Sequence, residues 1–194
     1  MKAFAMAALA ALGSLAAASP ASAVVYTVDA QANSSSGGTG LASITLVAGQ
    51  AFTVSSSLND LWRAGDLPRY SDGRGIFETR FATAADDSGE AVGTLIEDNI
   101  FGQWTQNGLT ANYGALVGEI NGIYQELGAN FSGNAWASGT LNLYYWDSNA
   151  GDNSGTIAFD INAVPEPAAW ALMIGGFGVV GGTLRRRSRP FAAA

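Results

Sequence analysis

A seven-residue stretch near the carboxyl end of the chain is rich in side chains that can bind a hard cation. Its oxygen-bearing members are Asp147, Asn149, Asp152 and Asn153. Calcium takes roughly six to eight oxygen ligands, so this stretch can supply about half of a complete site. We expect the remainder from Asp60 or from backbone carbonyls at residues 59–62. The stretch predicts a calcium site, and the alternative is an ordinary turn, because Asp, Asn and Gly also dominate turns without a metal.

A second acidic stretch, residues 86–90, has the sequence Asp-Asp-Ser-Gly-Glu. It carries the same oxygen chemistry as the first. A solvated turn is nevertheless the favoured interpretation, because these residue types satisfy backbone groups locally in turns. A second cation site is the alternative.

Two tryptophans, Trp62 and Trp104, lie in stretches that have the composition of loops. A flat aromatic face can stack on the apolar face of a sugar ring, and binding sites are commonly lined by aromatic side chains. We therefore predict Trp62 and Trp104 as ligand-binding residues. The alternative, which is favoured on general grounds, places both in the core, where large aromatic side chains are largely buried.

The chain contains no cysteine and no histidine. Thiol chemistry, disulfides, histidine-based catalysis and almost all zinc sites are therefore excluded. A glycosidase needs two carboxylates at a defined separation, and no spacing in this sequence singles out such a pair. We expect a protein that is not an enzyme and that holds any metal through oxygen atoms.

Residues 24–163 carry four arginines against fifteen acidic residues, a formal charge of −11. A surface of this charge repels the phosphate backbone, so we expect no nucleic-acid partner. The same surface keeps the domain soluble and attracts divalent cations.

The apolar residues between the two ends of the chain recur at a spacing of two, which is typical of half-buried strands. In the clearest strand, Leu141, Leu143 and Tyr145 share one face. The expected strands are 24–30, 41–47, 51–57, 76–83, 91–96, 113–120, 139–146 and 155–162. We expect loops at 58–75 and 101–108, and mostly turns at 122–136. About eight strands at hairpin spacing predict an all-β protein, an antiparallel β-sandwich of the jelly-roll or galactose-binding kind.

Part of this pattern resembles the C-terminal half of the LecA-like galactose-binding bacterial lectins. The matching segments are 114–117, 140–147, 152–155 and 157–161. In that family the corresponding Asp and Asn residues bind calcium, and the ion holds sugar hydroxyls. The resemblance implies these roles for Asp147, Asp152 and Asn153, although the loop here is shorter and Asp152 replaces an asparagine. The implied function is a calcium-assisted carbohydrate-binding module, with an extracellular polysaccharide as partner.

The first 23 residues have the pattern of a secretory signal peptide. Lys2 precedes an apolar run at residues 3–18, and Ala21-Ser22-Ala23 forms a small-x-small cleavage site. We expect signal peptidase to cut after Ala23 and to leave residues 24–163 as the exported domain.

Residues 164–189 have the pattern of a membrane-anchoring tail, followed by a short extension at 190–194. The motif residues are Pro165, Glu166, Pro167 and Trp170, and the basic cluster is Arg185, Arg186, Arg187 and Arg189. Between them, the apolar run 168–184 would span roughly 26 Å as a helix, which is short for a bilayer core. Arginines are costly to move through lipid and stay in the cytoplasm, whereas tryptophan favours the membrane–water interface.

This tail resembles the PEP-CTERM sorting tail in its PEPxxWA form, which reads Pro165-Glu166-Pro167-Ala168-Ala169-Trp170-Ala171 here. The resemblance implies a transient anchor in the inner membrane and processing by an exosortase. The expected destination is the cell surface or the extracellular matrix. The alternative to a sorting tail is a permanent membrane anchor, and the alternative function is a structural matrix or biofilm protein without a dedicated ligand site.

Overall fold

Strands make up nearly all of the regular structure in the central part of the chain. The computed structural model describes residues 23–163, which lie in one unit, and the helical residues 175–182, which lie in another. The strands are β1 (Val24–Asp29), β2 (Leu41–Leu46), β3 (Ala51–Ser55), β4 (Trp62–Ala64), β5 (Tyr70–Ser71), β6 (Arg80–Phe81), β7 (Leu95–Glu97), β8 (Gln103–Gln106), β9 (Leu109–Asn112), β10 (Leu116–Ile120), β11 (Ile123–Glu126), β12 (Asn130–Asn134), β13 (Gly139–Tyr145) and β14 (Asn153–Ala163).

Two antiparallel sheets pack face to face. The larger sheet has the order β12-β3-β14-β4-β5, with β1 also paired to β14. The smaller sheet has the order β11-β10-β13-β2, and the pairs β6-β7 and β8-β9 are separate ribbons. The core lies between the sheets, where Leu141, Leu143 and Tyr145 of β13 meet Ile157 and Phe159 of β14. The expectation of an antiparallel β-sandwich is confirmed at this level.

Strand β14 connects the core to the predicted cation-binding stretch. Its central part pairs with β1, and its first residues pair with β4, so that Asn153 lies opposite Ala64 and Gly155 opposite Trp62. Gly155 has a φ of +90°, and a Cβ there would lie 3.0 Å from the Cα of Trp62. Glycine therefore permits the close approach that brings the start of β14 against β4.

Three sequence-based expectations for loops were wrong. Residues 58–75 contain β4 and β5, residues 101–108 contain β8, and residues 122–136 contain β11 and β12. Strands of two to five residues are too short to show a clear alternation, which is why they were missed. The hairpin β8–β9 did carry a signal, because its turn is Asn107-Gly108 with positive φ at both residues, the preferred two-residue hairpin turn. The strand expected at 76–83 shortens to Arg80–Phe81.

Most of the two targeting segments lie outside the described residues, including Ala21, the Pro165-Glu166-Pro167 motif, Trp170 and the arginine cluster. Within the tail, residues 175–182 are helical and exposed. Among the described residues, no helix is both long and apolar enough to cross a membrane.

Candidate functional site

The predicted cation-binding stretch connects β13 to β14 through a single 3₁₀ turn at Ala150–Asp152. The turn is held by Asn149, whose side-chain oxygen accepts a hydrogen bond from Gly151 N. The amide of Asn149 also donates to Oδ1 of Asp152 at 2.9 Å. The two ends of the stretch are buried, since Asp147 and Asn153 are each 5% exposed. Asn149 therefore shapes the turn, while Asp147 and Asn153 lie beneath the surface.

Asp147 is a buried carboxyl without an ion pair among the described residues. Its backbone is fixed by Ser35, whose hydroxyl donates to the Asp147 carbonyl at 3.0 Å. Burial raises the pKa of Asp147, and the nearby charge of Asp152 adds to this, although hydrogen bonds from Ser148, Asn153 and Asn149 oppose it. A buried carboxylate that lacks a counter-charge is costly, so this position favours the arrival of a cation.

Two buried polar atoms beside this carboxyl have no hydrogen-bond partner. They are Oδ1 of Asn153 and the hydroxyl of Tyr145. The Asn153 amide nitrogen is satisfied by the carbonyl of Ala30 at 3.2 Å, so its unpartnered atom is the acceptor oxygen. Burial raises the pKa of Tyr145, and the charges of Asp147 and Asp152 raise it further. Unpartnered buried polar groups are uncommon and often mark the place of a water or an ion.

A cavity of about 250 Å³ opens at this stretch. Its lining residues are Ala64, Arg69, Ile76, Phe101, Tyr113, Asp147, Ser148, Asn149 and Asp152. The lining combines two carboxylates, one guanidinium and two aromatic rings. A small number of polar groups beside aromatic surface is typical of a site for a small polar ligand.

Arg69 lies beside the acidic end of the cavity, and its polar contacts with the described residues are long. Its Nη1 is 3.9 Å from Oδ2 of Asp152 and 3.4 Å from the carbonyl oxygen of Ala64. The guanidinium carbon lies 4.6 Å from the ring centroid of Phe101, a cation–π contact. Gly65 makes room for this arrangement, because a Cβ there would lie 2.9 Å from Oδ2 of Asp152 and 3.0 Å from Nη1 of Arg69.

The oxygen atoms in and beside this end of the cavity are of the types that calcium accepts. Asp147 and Asp152 supply carboxylates, Asn153 supplies an unpartnered amide oxygen, and strand pairing brings the backbone of Ala64 opposite Asn153. Within residues 23–163 and 175–182, no three acidic, histidine or cysteine residues cluster as a metal site. Any ion must therefore rely on amide, carbonyl and water oxygens besides the two carboxylates, which is a set that calcium accepts.

Asp60 and Trp62 were predicted for this site but do not line the cavity. Asp60 accepts a hydrogen bond from Ala158 N at 2.8 Å and lies beside Asp87. Trp62 is fully buried: its indole NH donates to the Gly114 carbonyl, and its ring lies edge-on to Tyr145 at 4.7 Å. The alternative core position is therefore the one that the structure shows for Trp62.

Trp104 is half-buried on the hairpin β8–β9. It packs against a small apolar cluster on the outer face of the smaller sheet, and its carbonyl accepts from the Trp146 indole at 3.0 Å. It does not line the cavity, but its neighbour Tyr113, at 6.2 Å between ring centroids, does.

Sequence reasoning missed Arg69, Phe101 and Tyr113 as residues of the cavity. Each comes from a segment far from Asp147 along the chain, and no periodic signal connects them. The one signal present was the concentration of three of the domain's four arginines in residues 58–75.

In the second acidic stretch, the carboxylate of Asp86 is satisfied by hydrogen bonds from within the turn, whereas burial and the neighbouring Asp60 carboxyl raise the pKa of Asp87. The carboxylate of Asp86 accepts from the backbone and side chain of both Thr83 and Ser88. Burial acts to raise the pKa of Asp86, but these four hydrogen bonds outweigh it and lower the pKa to about 2. The neighbouring Asp87 carboxyl accepts from Leu61 N at 2.8 Å. The geometry favours the interpretation as a turn over a cation site.

No family model matches this chain, and no curated protein matches it. Among solved structures, the chain is similar to one described as the EclA N-terminal domain, a PllA-like lectin. The identity is 19%, the match covers 73% of this chain and 98% of that one, and the TM-score is 0.45. At this score the likeness says nothing about the function of this chain.

Proposed function

We propose that residues 24–163 form a non-catalytic, calcium-assisted carbohydrate-binding module. The observation that carries the proposal is the unpartnered Oδ1 of Asn153, buried beside the unpaired carboxyl of Asp147. A calcium ion would satisfy both groups at once and would use Asp152 as a third ligand. No other described part of the domain combines an unpartnered acceptor with buried negative charge.

Arg69 is a weak competitor for the place of the ion. An ion pair at 3.9 Å between partly exposed side chains is worth at most about 1 kcal/mol. Competition from a pair of this strength would weaken calcium binding by no more than about fivefold. A calcium site with a Kd of roughly 0.1–1 mM, as in extracellular modules, would therefore remain possible beside Arg69.

The sugar would lie in the cavity beside the ion. A bound calcium ion keeps open positions for ligand oxygens when the protein fills only part of its coordination shell. The rings of Phe101 and Tyr113 line the same cavity and would cover the apolar face of a sugar. Neither the ion nor the two rings would act as a general acid or base, and we propose that the module binds the sugar without cleaving it.

Export and sorting complete the proposed function. Signal peptidase would remove residues 1–23, and the tail 164–189 would hold the protein in the inner membrane until an exosortase acts near Glu166. The mature module would then reach the cell surface or the extracellular matrix. These steps rest on the sequence pattern of both ends.

A structural matrix protein is the second candidate. It is favoured by the position of Arg69, which supplies a cation to Asp152 without any metal. In that case the cavity would hold no specific sugar, and the acidic surface would serve solubility and packing within a matrix.

A glycan array probed with and without a calcium chelator separates the two candidates. The module should bind a subset of glycans in calcium, lose them in chelator, and lose them after Asp147→Asn. Asp160→Asn is the matched control, because it removes one exposed carboxylate from β14. Calcium-independent binding would reject the role of calcium, and no binding to any polysaccharide would leave the structural candidate.

The sorting step is tested in cells by replacing Pro165, Glu166 and Pro167 with alanine. The unprocessed protein should accumulate in the inner-membrane fraction. An unchanged final location would reject the proposed role of the tail, without bearing on sugar binding by the purified module.

A further inference from the structure

The cavity carries a charge that calcium would reverse. Among the described residues that line it, the ionised groups are Asp147 and Asp152, with one negative charge each, and Arg69, with one positive charge. Without an ion, the cavity has a net charge of about −1 by this count. With Ca²⁺ bound to the two carboxylates, the net charge becomes about +1.

Arg69 is also poorly satisfied by the protein. Its distance to Asp152 exceeds that of a hydrogen bond, and its contact with the Ala64 carbonyl is long. In the described residues, the guanidinium makes no other hydrogen bond. The guanidinium contacts the ring of Phe101, and the side chain is 38% exposed. Most of its five N–H donors are therefore left for a ligand.

We propose that the sugar bound by this module is acidic, a uronate whose carboxylate is held by Arg69 while calcium binds neighbouring oxygens. This inference rests on the proposed calcium-assisted function. A planar guanidinium pairs with a planar carboxylate through two parallel hydrogen bonds, and the pair is strongest where water is partly excluded. Calcium binding would release Arg69 from Asp152 and supply the positive charge that draws the uronate.

The charge of the whole domain does not oppose this local attraction at ordinary ionic strength. The domain carries a formal −11, so long polyuronates are repelled at a distance. At about 0.1 M salt that repulsion is screened beyond roughly 10 Å, whereas the contact inside the cavity is shielded less. Short uronates should therefore bind better than long chains at low salt, and this difference should shrink as salt is added.

The decisive probes are a galacturonic acid trisaccharide and its methyl ester, which differ in the charge of the carboxyl groups. A trisaccharide is used because long uronate chains themselves bind calcium. Calorimetry in calcium should give the wild type about tenfold tighter binding to the free acid, the size expected of one charge-assisted contact. Arg69→Gln should abolish the preference and keep the binding of the ester.

Two controls make the outcomes distinct. Arg63→Gln removes an arginine of the same segment that lies over Tyr70 and does not line the cavity, and it should keep the preference. The calcium-induced rise in melting temperature should persist in Arg69→Gln, which shows an intact ion site. Equal binding of acid and ester by the wild type, or an unchanged preference in Arg69→Gln, would overturn the acidic-sugar inference alone. Binding of neither sugar in calcium would overturn the inference, and binding of no sugar on the array would overturn the module itself.

Discussion

Two turns of this domain have similar compositions, but the pKa of Asp86 in one is lowered and the pKa of Asp147 in the other is raised. Both the Thr83–Glu90 turn and the Asp147–Asn153 turn are rich in Asp, Ser and Gly. In the first, the Asp86 carboxylate is surrounded by donors, and its pKa falls to about 2. In the second, Asp147 is buried with a raised pKa beside an unpartnered amide oxygen. The Asp86 carboxylate is satisfied within its own turn, whereas we propose that a cation completes the second turn.

The difference shows that acidic composition does not identify a metal site. What distinguishes the two turns is whether donors within the turn satisfy the carboxylates. Thr83 and Ser88 provide hydroxyl and backbone donors to Asp86. In the other turn, the side-chain amide of Asn149 donates to Asp152, and only its backbone N–H donates to Asp147, at 3.4 Å. Side-chain donors at the right offset therefore decide between a turn and a site.

The largest expected effect is on the free energy of unfolding, which should change differently when Asp86 and Asp147 are replaced. In chelator, Asp86→Ala should lower the free energy of unfolding by about 2 kcal/mol, because hydrogen bonds to a charged group are lost. Asp147→Asn in the same buffer should leave it unchanged or raise it, because an unpaired buried charge is removed. Urea unfolding of both variants measures this. A large loss from Asp147→Asn without calcium would mean that Asp147 is already satisfied.

A pair of tyrosines sharpens the same contrast at a smaller scale. The Tyr70 hydroxyl donates to the Ser88 carbonyl at 3.0 Å, so Tyr70→Phe should cost about 1 kcal/mol. The Tyr145 hydroxyl is buried without a partner, so Tyr145→Phe should cost nothing in chelator and should raise the unfolding free energy slightly. Equal losses in the two variants would show that a partner for Tyr145 exists.

The pKa values of the two carboxyls, Asp86 and Asp147, should also be shifted in opposite directions. Carboxyl-carbon NMR in chelator measures both. The pKa of Asp86 should be about 2, so its contribution to stability is present above its unfolded pKa and is lost as pH falls through the folded value. The pKa of Asp147 should lie above its ordinary value, so its contribution is present at low pH and is lost as pH rises through the folded value. Calcium should lower the pKa of Asp147 and leave that of Asp86 unchanged.

The smallest expected effect concerns the competing guanidinium. Arg69→Gln should tighten calcium binding by up to about fivefold, since an exposed ion pair is worth at most about 1 kcal/mol. Terbium luminescence or calorimetry would detect the change. Weaker calcium binding in this variant would show that Arg69 supports the site and does not compete with the ion.

The fold was largely predictable because its main strands alternate clearly. Leu141, Leu143 and Tyr145 gave the inward face of β13, and the same period identified β14. Trp62 was expected in a loop because β4 has only three residues, too few to show an alternation, although a core position was weighed for it. The turn with Asp147, Asp152 and Asn153 was visible as a local pattern.

The remainder of the cavity depends on long-range contacts that no local pattern encodes. Arg69, Phe101 and Tyr113 meet the turn only through strand pairing and through the close approach of β14 to β4 at Gly155. The unpartnered state of the Asn153 Oδ1 atom is likewise a property of the fold, since the Ala30 carbonyl accepts a hydrogen bond from the Asn153 amide nitrogen and so sets the orientation of the side chain. Sequence can suggest the ligand atoms, but only packing decides which of them remain unsatisfied.

The most direct measurement is the melting temperature of the purified module as free calcium is titrated. A ligand that binds only the folded state adds about 2.7 kcal/mol at one hundred times its Kd, or roughly 8 °C for a domain of this size. The wild type and Asp160→Asn should show this rise, and Asp147→Asn should show none. A melting temperature that calcium leaves unchanged in the wild type, or raises equally in Asp147→Asn, would contradict a cation site at this turn.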